Sequence, residues 1–117
     1  MPLELALASS SGATVARAWE AEAEGVLVNT GTEPVEVDLV VLTSPSLALE
    51  VVDERGAPVV MPPPPTPGRP DVTVLAPGER RAIPFRAFLP PSTPPGRYRV
   101  RLRYGPARSP WMTIEIV

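Results

Sequence analysis

Apolar and polar residues alternate with period two along most of the chain, the signature of half-buried strands. Leu3, Leu5 and Leu7 alternate with Glu4 and Ala6, and Ser9-Ser10-Ser11-Gly12 ends this first strand. Residues 14–28 read as a second strand, with Trp19, Ala21, Ala23 and Leu27 on one face and Glu20, Glu22 and Glu24 on the other. The stretch 16–25 has a helix-favouring composition, but its strict glutamate alternation favours a strand. Asn29-Thr30-Gly31-Thr32-Glu33-Pro34 is a turn.

A third strand covers 35–42, directing Val35, Val37, Leu39 and Val41 one way and Glu36 and Asp38 the other. Strands follow at 47–52, at 58–61 and at 71–75, separated by turn residues. The strand at 80–88 carries Pro84, which cannot donate to a ladder and calls for an edge position, a bulge or a break. Residues 97–104, RYRVRLRY, form the most regular strand. A hairpin loop at 105–110 leads into a closing strand at 111–117.

Many short strands with turn signals between them imply a sandwich or barrel. The expected fold is an all-β, immunoglobulin-like antiparallel sandwich of seven to nine strands. One domain spans 1–117, with Pro-rich loops at 62–70 and 89–96. The expected inward set is Leu5, Trp19, Leu27, Val37, Leu39, Val41, Leu49, Val51, Ile83, Phe85, Tyr98, Val100, Leu102 and Ile114. A one-residue slip would reverse these faces.

Composition narrows the function. The 117 residues include 18 prolines, no cysteine and no histidine. Without cysteine there are no disulfides, thiol nucleophiles or thiolate metal sites. Without histidine the commonest general base and metal ligand is missing. All eleven basic residues are arginine, so no lysine is present to act as a base. The chain is therefore expected not to be an enzyme and to need no cofactor. A net charge of -2 sets up no global field toward nucleic acid. No apolar run approaches the ~20 residues of a membrane span. The amino-terminal stretch lacks the basic segment of a secretory leader. A cytoplasmic protein with no nucleic-acid or membrane partner is expected.

Two stretches carry a family resemblance. The first is Val26-Leu27-Val28-Asn29-Thr30-Gly31-Thr32-Glu33-Pro34-Val35-Glu36-Val37. The second is Leu75-Ala76-Pro77-Gly78-Glu79, followed by a strand and Pro95-Gly96-Arg97-Tyr98-Arg99-Val100. The chain thereby resembles bacterial immunoglobulin-like domains, most of all the bacterial intracellular proteinase inhibitor (BsuPI-like) family. The resemblance implies that 29–35 is the turn between the second and third strands of the sandwich. It also implies that Tyr98 is a corner tyrosine whose hydroxyl binds nearby backbone. As to function, it implies a rigid sandwich that presents loops to a peptidase.

Three constellations are candidates for binding. The loop residues Met61, Pro62, Pro63, Pro64, Pro65, Thr66 and Arg69 offer a polyproline II surface with P-x-x-P spacing, or else a rigid connection. Arg97, Arg99, Arg101 and Arg103 put four guanidiniums on one strand face. These suit phosphate, nucleic acid or an acidic protein, or are paired across strands with Glu36, Asp38 and Glu115. Glu20, Glu22 and Glu24 suggest a cation site, or are paired with Arg80 and Arg86 of a neighbouring strand. The expected function is a non-catalytic protein-binding domain, inhibitor-like and acting through its loops. The alternative is a structural or adaptor module that associates through a sheet edge or a charged sheet face, including homo-association through an edge strand.

Overall fold

The computed structural model describes residues 2–9, 12, 14–61 and 69–117. Three pieces of sheet build it. Strands β1 (Leu3–Ser9), β3 (Glu22–Asn29) and β7 (Arg80–Arg86) form one sheet in the order β1-β3-β7. The second sheet runs β2-β10-β8-β5, from β2 (Thr14–Val15), β10 (Met112–Ile116), β8 (Gly96–Tyr104) and β5 (Leu49–Asp53). The short β9 (Ala107–Arg108) folds back onto β8. A separate two-stranded ribbon joins β4 (Val35–Asp38) to β6 (Val72–Leu75). All pairings are antiparallel except β2 with β10. Among the described residues eight strands have four residues or more, so the fold is the all-β, immunoglobulin-like sandwich expected. Among the described residues no helix is long and apolar enough to cross a membrane.

The core lies between the two larger sheets. Leu5, Ala23, Leu27, Ile83 and Phe85 come from one, and Leu49, Val51, Tyr98, Val100, Leu102, Ile114 and Ile116 from the other. The sheets approach closely at Gly25, where a Cβ would stand 3.0 Å from Leu102 Cδ2 and 3.2 Å from Phe85 Cε2. Eleven of the fourteen residues expected inward are buried; the exceptions are Trp19, Leu39 and Val41. All three fall where an expected strand is broken. Trp19 sits in a 3-10 turn, Ala18–Glu20, and is 49% exposed. That turn also takes Glu20 out of the expected acidic ladder, while Glu22 stays opposite Arg86 and Glu24 opposite Pro84.

The expected strand at 35–42 ends at Asp38 and becomes a short helix, α1 (Leu39–Leu42). The cause is the Asp38 side chain, which accepts from Val40 N at 2.9 Å and from Asp71 N at 3.1 Å. Helix capping by Asp satisfies a free backbone donor, and here it outweighs the strand preference of two valines. In consequence Leu42, not Val41, is buried. A second short helix, α2 (Pro45–Ala48), starts with proline at its first turn, where the missing N–H costs nothing. The expected strand at 47–52 therefore begins at Leu49. At 58–61 only a single bridge, Val52 to Pro58, forms. Pro84 lies on β7, an edge strand, as a residue without an N–H requires.

Asn29 is fully buried with its side chain satisfied. Its Nδ2 donates to Glu33 O at 2.8 Å and to Leu75 O at 2.9 Å, and its Oδ1 accepts from Gly31 N at 2.9 Å. Its backbone N donates to Glu79 O, and its backbone O accepts from Gly78 N. The next residue ties in the amino terminus, Thr30 N donating to Pro2 O at 2.9 Å. Gly31 is required by that approach, since a Cβ would come within 2.7 Å of Pro2 Cβ. At the other end of the sandwich Tyr98 Oη donates to Pro94 O at 2.6 Å. This is the backbone tie of a corner tyrosine. Burial pushes the Tyr98 hydroxyl up from its ordinary pKa, and the charges of Asp53 and Glu54 push it the same way.

Replacing Asn29 with Ala strands two carbonyls and an amide, and is expected to cost about 2–4 kcal/mol. Leu102→Ala is expected to cost about 2–5 kcal/mol through its cavity. Urea unfolding checks both, and a loss under about 1 kcal/mol for either variant would contradict this account of the core.

Candidate functional site

With Val100 and Leu102 turned inward on β8, Arg97, Arg99, Arg101 and Arg103 must point outward. Register brings further groups onto the same face. Glu50 of β5 lies opposite Arg101, and Val52 opposite Arg99. Thr113 and Glu115 of β10 lie opposite Arg99 and Arg97, and Arg108 of β9 lies opposite Arg103. Five arginines therefore share this face with two glutamates, although the whole chain is acidic at -2.

Four of the five arginines form two groups that share Arg101. Three converge on Glu50. Arg101 reaches Glu50 Oε2 through Nη2 at 2.7 Å and Nε at 2.8 Å. Arg108 Nε lies 3.0 Å and Arg103 Nη1 3.5 Å from Oε1. Backbone carbonyls fix the outer two: Arg103 Nε donates to Leu47 O at 3.1 Å, and Arg108 Nη1 donates to Gly105 O at 2.6 Å. The second group surrounds Trp111, just before β10. The Arg101 guanidinium carbon is 4.3 Å from the indole centroid and that of Arg99 is 5.5 Å away, both within cation–π range. Trp111 stays 38% exposed.

Burial on its own would raise the Glu50 carboxyl. The Arg101 hydrogen bond and the charges of Arg101, Arg108 and Arg103 outweigh it and hold the group below its ordinary value. One carboxylate has two oxygens to offer, while three guanidiniums bring five N–H groups each. Most donors in the cluster are thus left over after Glu50 is satisfied.

Beside this face runs a groove of roughly 360 Å³, with apolar walls from Val52, Pro58, Val59 and Met61 and a rim of Glu50 and Arg103.

The expected partners of the ladder are corrected by this geometry. Glu36 and Asp38 lie on β4, which pairs with β6 and not with β8. The strand flanking β8 is β5, and Glu50 takes the place assigned to Glu36 and Asp38. Glu115 is adjacent to the ladder as expected, opposite Arg97. Neither Glu50 nor Trp111 was among the expected site residues. Glu50 had a visible signal, its outward parity between Leu49 and Val51. Of the loop candidates, Met61 is half-buried and Arg69 exposed. Pro62, Pro63, Pro64, Pro65 and Thr66 lie outside the described residues.

No family model and no curated protein matches the chain. Among solved structures, a mutant β-glucosidase from Listeria innocua in complex with laminaribiose is similar, with a TM-score of 0.55 and 14% identity. The match covers 98% of this chain and 16% of that one. The likeness is one of fold. This chain spans about a sixth of that enzyme's length, and at this identity nothing of its chemistry carries over.

The depressed Glu50 carboxyl sets a pH dependence. Its folded pKa lies below its unfolded value, so its stabilisation is full above about pH 4.5. That contribution is lost as pH falls through the folded value. At pH 7 Glu50→Gln is expected to lower stability by about 1–2 kcal/mol, discounted for partial exposure. The gap to the native chain should close on acidification. Urea midpoints measured from about pH 7 down to about pH 3 check this, and a gap that widens in acid would reverse the assignment.

Proposed function

We propose that this domain is a non-catalytic protein-binding module that recognises an acidic segment of a partner through the outer face of its five-stranded sheet. One observation carries the reading: three guanidiniums share a single carboxylate, and two more arginines flank them. An incoming carboxylate meets N–H donors already held by Leu47, Gly105 and Glu50, so little side-chain entropy is lost on contact. Trp111 adds a flat apolar surface between the guanidiniums, and Trp and Arg are the residue types that dominate binding hot spots. Association through such a face is electrostatically steered and weakens with salt. The absence of cysteine fits work in a reducing cytoplasm.

A loop-borne, peptidase-inhibitor-like action is the second reading, supported by the resemblance of the 26–35 and 75–100 motifs. A panel of peptidases separates the two, because only an inhibitor slows turnover.

The test of the first reading is a titration with a synthetic poly-glutamate peptide followed by Trp fluorescence. Binding is expected at about 50 mM salt and should weaken several-fold at about 200 mM. Arg99→Glu, which alters no contact to Glu50, should weaken it about tenfold, roughly 1.4 kcal/mol. Absence of binding at low salt, or an unchanged affinity in that variant, refutes the reading. Equal binding of duplex DNA would show attraction to any polyanion and would refute recognition of a protein.

A further inference from the structure

Among the described residues the ribbon β4-β6 has an unguarded edge. Its hydrogen-bond phase follows from two contacts. Leu39 N donates to Asp71 O at 2.8 Å, continuing the register in which Val37 faces Thr73 and Val35 faces Leu75. Asp38 N points the other way, to Tyr104 Oη at 2.8 Å. In an antiparallel ladder the bonded and non-bonded pairs alternate. The odd-numbered residues of β6 therefore bond to β4. The N–H and C=O groups of Val72 and Val74 point away from it, along the free edge.

The side chains of the same two residues are 55% and 51% exposed. Among the described residues no strand pairs with that edge. Two of the other edges are managed. β7 carries Pro84 between Arg80 and Arg86. β5 is covered where Val59 N donates to Val51 O and Asp53 N to Ala57 O. A β-branched edge without proline, lysine or arginine is a template for another strand. Moreover, two four-residue strands make a marginal sheet on their own.

We propose that two copies of the chain associate through β6, antiparallel about a two-fold axis at Thr73, so that Val72 of each copy pairs with Val74 of the other. The phase and the sequence together select this register. Only residues 72 and 74 offer edge-directed groups, so they must form the bonded pairs. Shifting one way sets Val74 against Pro70 of the second copy, which has no N–H to give. Shifting the other way sets Val72 against Ala76, beyond the end of the strand. In the selected register Thr73 meets Thr73 of the second copy, a favourable cross-strand pair, and Asp71 meets Leu75. No like charges are opposed. Glu36 of one copy and Asp38 of the other stand in line three strand spacings apart, about 14 Å, beyond the screening length of about 8 Å in physiological salt. The ribbon becomes a four-stranded sheet, and the contact is small, as in transient association.

Sedimentation velocity from about 10 μM to about 1 mM, a range reaching the weak limit of specific association, tests this. The native chain should show a rising dimer fraction. V72K/V74K sets like charges against each other in this register and should raise the dissociation constant at least tenfold. V72K/V74E sets opposite charges against each other and should restore the dimer, more strongly at low salt. Both variants change half-exposed side chains, and circular dichroism confirms that they fold. Arg99→Glu, on the cationic face, should leave the dimer unchanged, which separates this proposal from the preceding one. A native chain that stays monomeric to about 1 mM, a lysine pair that dimerises like the native chain, or a lysine–glutamate pair that stays monomeric overturns it.

Discussion

A buried asparagine ties the first sheet to the β4-β6 ribbon. Asn29 closes the sheet strand β3, and its side chain reaches the end of β6 and the turn before Pro34. Its backbone bonds the turn that launches β7. A buried amide with one partner missing would cost more than the bond is worth, so each contact constrains the others. The loop 29–34, the turn 76–79 and the start of β1 are therefore positioned as a unit. Their positions in turn set the register of β3 against both of its neighbours.

Given that register, the character of the cationic face follows from parity and pairing. Alternation on β8 sends four arginines outward while Tyr98, Val100 and Leu102 close the core. Closely spaced like charges on one strand repel, and a neighbouring carboxylate relieves this. Glu50 does so for three arginines at once, and the indole of Trp111 offers its negative ring face to two. Neutralisation is incomplete. A face with more donors than acceptors is compatible with folding because each outer arginine is also tied to a backbone carbonyl. The same excess gives the face its capacity for an anionic partner.

Proline shapes what remains. Pro45 starts a helix, Pro84 sits on an outer edge, and Pro94 supplies the carbonyl that Tyr98 binds. In each case the residue occupies a position where an N–H is not needed. Among the described residues the ribbon β4-β6 lacks this protection along β6, with valines and open amides on one edge.

The sequence by itself determined which faces point inward, because a period of two is a local property that survives without any knowledge of neighbours. Leu27, Val37, Phe85 and Leu102 were legible for that reason. So were the turn at Asn29 and the corner role of Tyr98, each signalled by its own short motif. Tertiary structure alone decided which strands adjoin. The strand at 35–38 had the right parity and the right acids to flank the arginines, yet Glu50 of 49–53 flanks them instead. Pairing is a contest between segments far apart in the chain, and local pattern carries no information about its winner. The break at Asp38 is of the same kind, since its carboxylate is engaged by the amide of Asp71, 33 residues later. Val41 was misplaced because a cap with a distant partner overrode a local preference that was real but weaker, and Trp19 because a short 3-10 turn interrupts its strand.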